Sequence, residues 1–160
     1  MVQIERTVEI DAPIERVFAF ITDVRNHPQV VPPETREQLL DGGDEPLKLS
    51  SRVKFRARSG GVTWTLLSSI TAFDPPNKEH SDSAYFRDEQ VKGPFAEWRH
   101  DHWFASTSAG STNLTDRFTF TAPYGPLGRV AERLWLTNRM TYLMEYMQTA
   151  QKRMIEAGSL

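Results

Sequence analysis

The chain has 160 residues, of which 39% are hydrophobic and 25% are charged, and it contains no cysteine. This length and composition suit a globular chain with a real core and exclude disorder as the default state. The net charge of −2 gives no electrostatic sign of nucleic-acid binding, and the lack of cysteine excludes disulfides and thiolate metal sites.

The N-terminal stretch MVQIERTVEI alternates apolar and polar residues and lacks the apolar core of a signal peptide. No later run approaches the roughly 20 apolar residues that span a bilayer. We therefore predict a cytoplasmic protein without integral membrane association.

A strand and two short helices are predicted at the start of the chain. Residues 2–10 alternate as a strand with one buried face does. The stretch DAPIERVFAFI then predicts a helix, with Asp11 as its N-cap and Pro13 in its first turn. A second short helix around VRNHPQVV is expected to end before Pro32, because residues that precede proline avoid the helical region.

From there to about residue 122 the pattern predicts antiparallel strands separated by turns. The stretches are RVKFRAR, VTWTLLSSITAF, AYFRDEQV, FAEWRHDHWFAS and STNLTDRFTFTA. Within the second stretch, Trp64 shares a face with Ser68 and Ile70. His27 and His80, which fall outside these strands, are expected to be exposed.

The hydrophobic period changes after PYGPLG. Residues from about Pro126 to Glu156 place apolar side chains, among them Val130 and Met144, at helical spacing. A helix of that length would be about 45 Å long and must cross a whole sheet. The chain has no repeat and no linker, so we predict one domain over residues 1–160 with an α+β fold. A curved antiparallel sheet would wrap the C-terminal helix and leave a cavity between them.

The stretch GPFAEWRHDHWF, residues 93–104, contains two histidines at alternate positions. On a strand Trp98, His100, His102 and Phe104 share one face. If Trp98 and Phe104 point inward, both imidazoles do as well. Arg99, Asp101 and Trp103 lie on the opposite face. Arg99 is expected to be largely exposed, and so is Arg117, which lies on the corresponding outer face of the stretch STNLTDRFTFTA.

Neighbouring strands add polar residues to the inward face. Asp88 and Gln90 alternate with Phe86, and Asp116 alternates with Phe118. The STSAGST turn predicts a hairpin that brings Asp116 close to the two histidines. The sequence therefore predicts an apolar chamber with a polar band, and buried polar groups cost about 1–3 kcal/mol each unless they are paired.

Four interpretations of this band remain open. It is a self-satisfied network in which Asp116 pairs with a histidine, or it orients a bound ligand. It is a metal site of His100, His102 and Asp116, which would need a further ligand, or it is a catalytic His–Asp pair for acid–base chemistry. No serine or cysteine stands in a nucleophile elbow, so hydrolase chemistry is not indicated.

The order of elements and the segments IDAPIERVFAFITD, TAFDPP, YFRDEQVKGPFAEWRHDHWF and DRFTFTAPYGPLG resemble the START-like (SRPBCC) ligand-binding superfamily. The resemblance covers nearly the whole chain and implies a helix-grip fold and no metal, and we expect no cofactor. Within the superfamily, which includes polyketide cyclases and lipid carriers, the chain is most similar to small bacterial proteins sometimes labelled cell-division inhibitors. It departs from them in residues 77–84, an added polar loop that would cover the cavity, bind a partner or extend a solvated hairpin.

We predict that the protein binds a small hydrophobic or amphipathic molecule between sheet and helix, without established turnover. Whether it is an enzyme is left open: the alternatives are a cyclase- or dehydratase-like enzyme and a regulatory protein that binds a partner through residues 77–84. No nucleic-acid partner is expected, and monomer and homodimer are both compatible with the sequence. The predicted ligand-binding residues are Trp64, Asp88, Gln90, Trp98, His100, His102, Asp116, Phe118 and Met144.

Overall fold

A seven-stranded antiparallel sheet forms the frame of the protein, as the computed structural model shows for residues 1–59, 61–79, 81–125, 128, 130 and 135–158. The strands are β1 (Val2–Ile10), β2 (Gln38–Asp41), β3 (Arg52–Ser59), β4 (Val62–Asp74), β5 (Ser83–Lys92), β6 (Glu97–Ser106) and β7 (Thr112–Thr121). Their order across the sheet is β1-β7-β6-β5-β4-β3-β2, so the chain returns to pair its last strand with its first.

The helices lie together on the inner face of the sheet. They are α1 (Ile14–Thr22), α2 (His27–Val30) and α3 (Thr137–Glu156), with short 3-10 helices at Val24–Asn26 and Pro33–Thr35. The sheet curves around α3, and the predicted α+β helix-grip arrangement is confirmed.

Helix α1 buries the apolar side chains that its helical spacing aligns, including Ile14, Val17 and Phe18. Its N-cap is Pro13 in an extended conformation rather than the predicted Asp11, and no side chain caps it. The Phe18 ring meets Phe86 and Phe104 edge-on at centroid distances of 6.1 and 5.2 Å. These contacts hold α1 against the first half of β5 and the second half of β6.

Helix α3 has 20 residues and is therefore about 30 Å long. Its buried face includes Met140, Met144, Met147 and Ile155 at helical spacing. Most of the predicted helical residues before position 135 lie outside the described residues, and Val130 is 56% exposed, so its predicted place on the buried face is wrong. No helix in the described part of the chain is long and apolar enough to cross a membrane.

The register of the last strands confirms the predicted faces. Asp88 pairs with His100 between β5 and β6, and His102 pairs with Asp116 between β6 and β7. His100, His102 and Phe104 are buried and Trp98 is half-buried, all on the inner face.

The outer face of β6 differs from the prediction. Arg99 and Arg117 are half-buried rather than largely exposed, and Asp101 is only 1% exposed. The cause is a cross-strand network: Arg87 Nε donates to the Asp101 carboxylate at 2.6 Å, Arg99 lies 3.2 Å from its other oxygen, and Arg117 lies over the Trp103 ring. Long side chains that pair across strands shield one another from water.

Candidate functional site

A cavity of about 630 Å³ lies between the inner face of the sheet and the helices. Its wall is mostly apolar, formed for example by Phe55, Ile70, Phe86, Leu143 and Met147. The volume falls within the about 300–1,000 Å³ of small-molecule pockets, which also combine apolar walls with a few polar groups.

The cavity opens at the end of the sheet where β3 turns into β4, β5 turns into β6, and the chain leaves β7. Apolar side chains at this mouth face solvent: Val62 is 67% exposed, Tyr124 84% and Trp135 52%. The connection between β4 and β5 lies at the opposite end of the same strands. Of the three roles considered for residues 77–84, covering the cavity therefore does not fit the described part of that segment. That part is an exposed hairpin connection that leads into β5, and His80 lies outside the described residues.

The structure brings most of the predicted ligand-binding residues to the cavity wall. Those that line it are Trp64, Asp88, Trp98, His100, His102 and Phe118. Those that do not are Gln90, Asp116 and Met144.

Each of these last residues has another structural role. The Gln90 side-chain amide donates to the Phe95 carbonyl at 2.8 Å and accepts from its backbone N–H, so it closes the turn between β5 and β6. Met144 is 1% exposed and packs with Phe118 and Phe120 in the core between β7 and α3. Asp116 lies behind the histidines, on the side away from the cavity.

Asp116 is the centre of a buried polar cluster. One carboxylate oxygen lies 3.1 Å from His100 Nε2, which donates to it, and 2.7 Å from His102 Nδ1. The second contact is at ion-pair distance, but the ring does not align its N–H with the oxygen. Gln148 on α3 donates to the other oxygen at 2.7 Å and to the Arg6 carbonyl at 2.9 Å. The cluster therefore joins β1, β6, β7 and α3.

Sequence reasoning missed Gln148. It is 1% exposed and occupies the apolar face of α3, one turn after Met144. A glutamine in the middle of an apolar stripe was a readable signal, since a buried amide needs partners. The strand pattern does not reveal it, because Gln148 belongs to another element.

Asp88 approaches the same histidines from the cavity side. One of its carboxylate oxygens lies 3.7 Å from His100 Nδ1 and 3.6 Å from His102 Nε2. Both distances exceed a hydrogen bond, so the attraction is electrostatic. Each imidazole therefore has Asp116 on one nitrogen and Asp88 opposite the other.

The two histidines hold different charges. Burial by itself lowers the pKa of His102, but the Asp116 and Asp88 carboxylates outweigh it and raise that pKa to about 9. Burial lowers the pKa of His100, and the positive charge of His102 lowers it further despite Asp116. Burial would raise the pKa of Asp116, yet contacts with His100 and His102 hold it well below its ordinary range. At neutral pH the cluster contains one imidazolium, one neutral imidazole and a buried carboxylate.

His27 also lines the cavity, contrary to the expectation that it is exposed. Its ring lies against Phe55 at 4.8 Å between centroids, and its Nδ1 pairs with Glu37. Burial lowers its pKa, but Glu37 and then Asp88 more than compensate and raise it. The sequence around His27 and Pro28 does not indicate that His27 lines a cavity, because its place there results from the tertiary packing of α2 against β3.

The arrangement suits several kinds of chemistry. An imidazolium beside a neutral imidazole provides a proton donor and a proton acceptor on the same wall. The same groups would orient an anionic or carbonyl oxygen of a bound molecule.

Comparison with known proteins places the chain among similar folds. The family profile described as polyketide cyclase / dehydrase and lipid transport matches residues 1–155, whereas no curated protein matches the chain. The structure is similar to TTHA0849 from Thermus thermophilus, with a TM-score of 0.73, 16% identity and coverage of 99% of this chain and 100% of that one.

Two further solved structures are similar. A START superfamily protein from Mycobacterium smegmatis has a TM-score of 0.69 at 14% identity and covers 98% of this chain and 99% of its own. The Zhui aromatase/cyclase from Streptomyces sp. R1128 has a TM-score of 0.64 at 16% identity, with 99% of each chain covered. At these identities the likeness concerns the fold alone. None of these proteins bears on the similarity to cell-division inhibitors, which stays a prediction.

Proposed function

Because the chain belongs to the polyketide cyclase/dehydrase and lipid transport family, as the START-like resemblance predicted, we propose that its 160 residues form one domain that binds a small amphipathic molecule between the sheet and α3. The observation that carries this proposal is the cavity itself, about 630 Å³ with apolar walls and the Asp88–His100–His102 group on one side. A guest would place its apolar body against the aromatic wall and its polar end at these three residues.

Unsatisfied polar atoms beside the cavity favour an amphipathic guest over a purely apolar one. Among the described residues, Trp98 Nε1 and Gln151 Oε1 are buried without a hydrogen-bond partner. Both residues line the cavity. A buried donor or acceptor without a partner costs about 1–3 kcal/mol, which a guest with hydroxyl or carbonyl groups would recover.

The role of the histidines is tested with glutamine substitutions. We expect His100→Gln or His102→Gln to weaken binding of the amphipathic dye 8-anilinonaphthalene-1-sulfonate by about 1–3 kcal/mol, roughly 5- to 150-fold, because each removes a group that orients the polar end. Affinity is measured by fluorescence titration well below the melting temperature. The control is Glu89→Gln, which changes the neighbouring position on the other face of β5.

Unchanged affinity in both histidine variants would contradict an orienting role and leave Asp116 and the histidines as a structural network. A dye that still binds when Phe86 or Leu66 in the wall is replaced by a larger or charged residue would contradict the cavity as the site. Native mass spectrometry of protein purified from its own host would then identify a retained molecule, and a lipid-like or polycyclic mass supports carriage.

A second candidate function is cyclisation or dehydration of a bound substrate. One solved structure of the same fold is that of the Zhui aromatase/cyclase, and the pair of differently charged imidazoles would move a proton at the cavity wall. Turnover of a poly-β-ketone analogue with a bell-shaped pH dependence, lost in His102→Gln, would support it. Binding without conversion would favour carriage.

A further inference from the structure

Three potential ligand atoms converge on one point of the cavity wall. They are an Asp88 carboxylate oxygen, His100 Nδ1 and His102 Nε2, which all lie within 4.8 Å of one another. From this geometry we propose that Asp88, His100 and His102 bind a divalent transition-metal ion such as Zn²⁺.

The spacing suits a metal better than a hydrogen-bond network. The carboxylate oxygen is 3.7 Å from one nitrogen and 3.6 Å from the other, too far for hydrogen bonds. Ligands that are each about 2.0–2.2 Å from a tetrahedral zinc ion lie about 3.3–3.6 Å apart. The two separations from Asp88 are therefore within a few tenths of an ångström of those around a tetrahedral ion, and the two imidazole nitrogens lie within 4.8 Å of each other.

Asp116, on the side of the imidazoles away from the cavity, orients both rings for metal binding. The hydrogen bond from His100 Nε2 to Asp116 places the proton on that nitrogen and leaves the Nδ1 lone pair facing Asp88. His102 Nδ1 lies 2.7 Å from the same oxygen, so a metal ion that displaces the Nε2 proton of this imidazolium leaves the remaining proton on Nδ1, beside Asp116. A carboxylate behind a ligating histidine fixes its tautomer and raises its basicity, and Gln148 holds Asp116 in place.

The site departs from the sequence-based expectation in two respects. The resemblance implied no metal, and the metal interpretation weighed from sequence used Asp116 as the third ligand. In the structure Asp116 lies on the far side of both rings and Asp88 takes the cavity side. Two imidazoles and one carboxylate leave at least one coordination position open toward the cavity, which is typical of a catalytic rather than a structural metal site.

The test uses the metal alone, so it does not depend on the proposed guest. Full-length protein stripped with a chelator is titrated with Zn²⁺ by calorimetry and with Co²⁺ by visible absorption, which reports tetrahedral coordination. We expect one ion per chain. Asp116→Asn should weaken binding about 10- to 100-fold, as loss of an outer-shell partner does, and Asp88→Asn should weaken it more because a ligand is lost.

Glu89→Gln is the matched control, since it removes a carboxylate from the next position of β5 on the other face of the sheet, and its affinity should not change. Absence of stoichiometric binding in the wild type would overturn the proposal, as would wild-type affinity in Asp88→Asn. Binding that is lost in His27→Gln but kept in Asp88→Asn would assign the ion to His27 and Glu37 instead. If Asp88→Asn fails to fold, X-ray absorption of the zinc-loaded wild type decides: two imidazoles and a carboxylate support the site, and oxygen ligands alone refute it.

Discussion

Replacing Asp116 with asparagine tests whether the buried carboxylate stabilises the protonated, positively charged form of His102. The rise of the His102 pKa from its ordinary 6.5 to about 9 corresponds to about 3 kcal/mol of stability, at roughly 1.4 kcal/mol per pH unit. Among the contributions that raise this pKa, the contact with Asp116 is the largest, and the substitution also disturbs the bond from Gln148, worth about 1 kcal/mol. We therefore expect Asp116→Asn to lower the free energy of unfolding at pH 7 by about 2–4 kcal/mol.

The pH dependence separates this cause from a simple loss of packing. The folded-state pKa of His102 is above its unfolded value, so its contribution is fully present below pH 6.5 and is lost as the pH rises through about 9. The difference between wild type and Asp116→Asn should thus shrink toward pH 10. Urea unfolding at several pH values measures it as a change in midpoint at constant slope.

Asp101→Asn is the control for that experiment. Asp101 is as deeply buried as Asp116, but it pairs with Arg87, whose pKa the Asp101 hydrogen bond raises above its ordinary value. Its loss should therefore destabilise the protein equally at pH 7 and pH 10. A loss below about 1 kcal/mol in Asp116→Asn, or one that does not change with pH, would refute the charge pairing.

Three further variants test the packing around the site. Phe86→Ala should destabilise the fold by about 3–5 kcal/mol in urea unfolding because the ring is 2% exposed, whereas Val91→Ala, on an exposed part of β5, should stay within about 0.5 kcal/mol. His100→Ala should cost about 1–3 kcal/mol, since Asp116 loses its aligned donor; a stability equal to wild type would contradict that hydrogen bond. Truncation near Tyr142 should abolish the cooperative thermal transition followed by circular dichroism, because α3 covers the inner face of the sheet; a truncated chain that melts cooperatively would show that the sheet closes another way.

The strand period predicted which side chains share a face. Alternation along β6 placed Trp98, His100, His102 and Phe104 together, and the hairpin signal placed Asp116 beside them. These features could be read from the sequence because a strand repeats every two residues and a short turn forces neighbouring strands to pair. The outer-face network around Asp101 could not be read from the sequence. Alternation predicts the direction of each side chain, but it does not show that the long side chains of Arg87 and Arg99 reach across the strands to Asp101.

The sequence by itself therefore determined the direction of the side chains: a sheet with an apolar inner face, a long helix to cover it, and carboxylates and imidazoles pointing to the same side. Only the tertiary structure decided how deeply each of these polar side chains is buried. Curvature of the sheet and the approach of α3 place Asp116 behind the histidines, where Gln148 reaches it, and leave Asp88 in front of them on the cavity wall. Both aspartates occupy the same kind of inward position in the alternation. They differ because the contacts that bury Asp116 and leave Asp88 half-buried on the cavity wall come from elements far away in the chain.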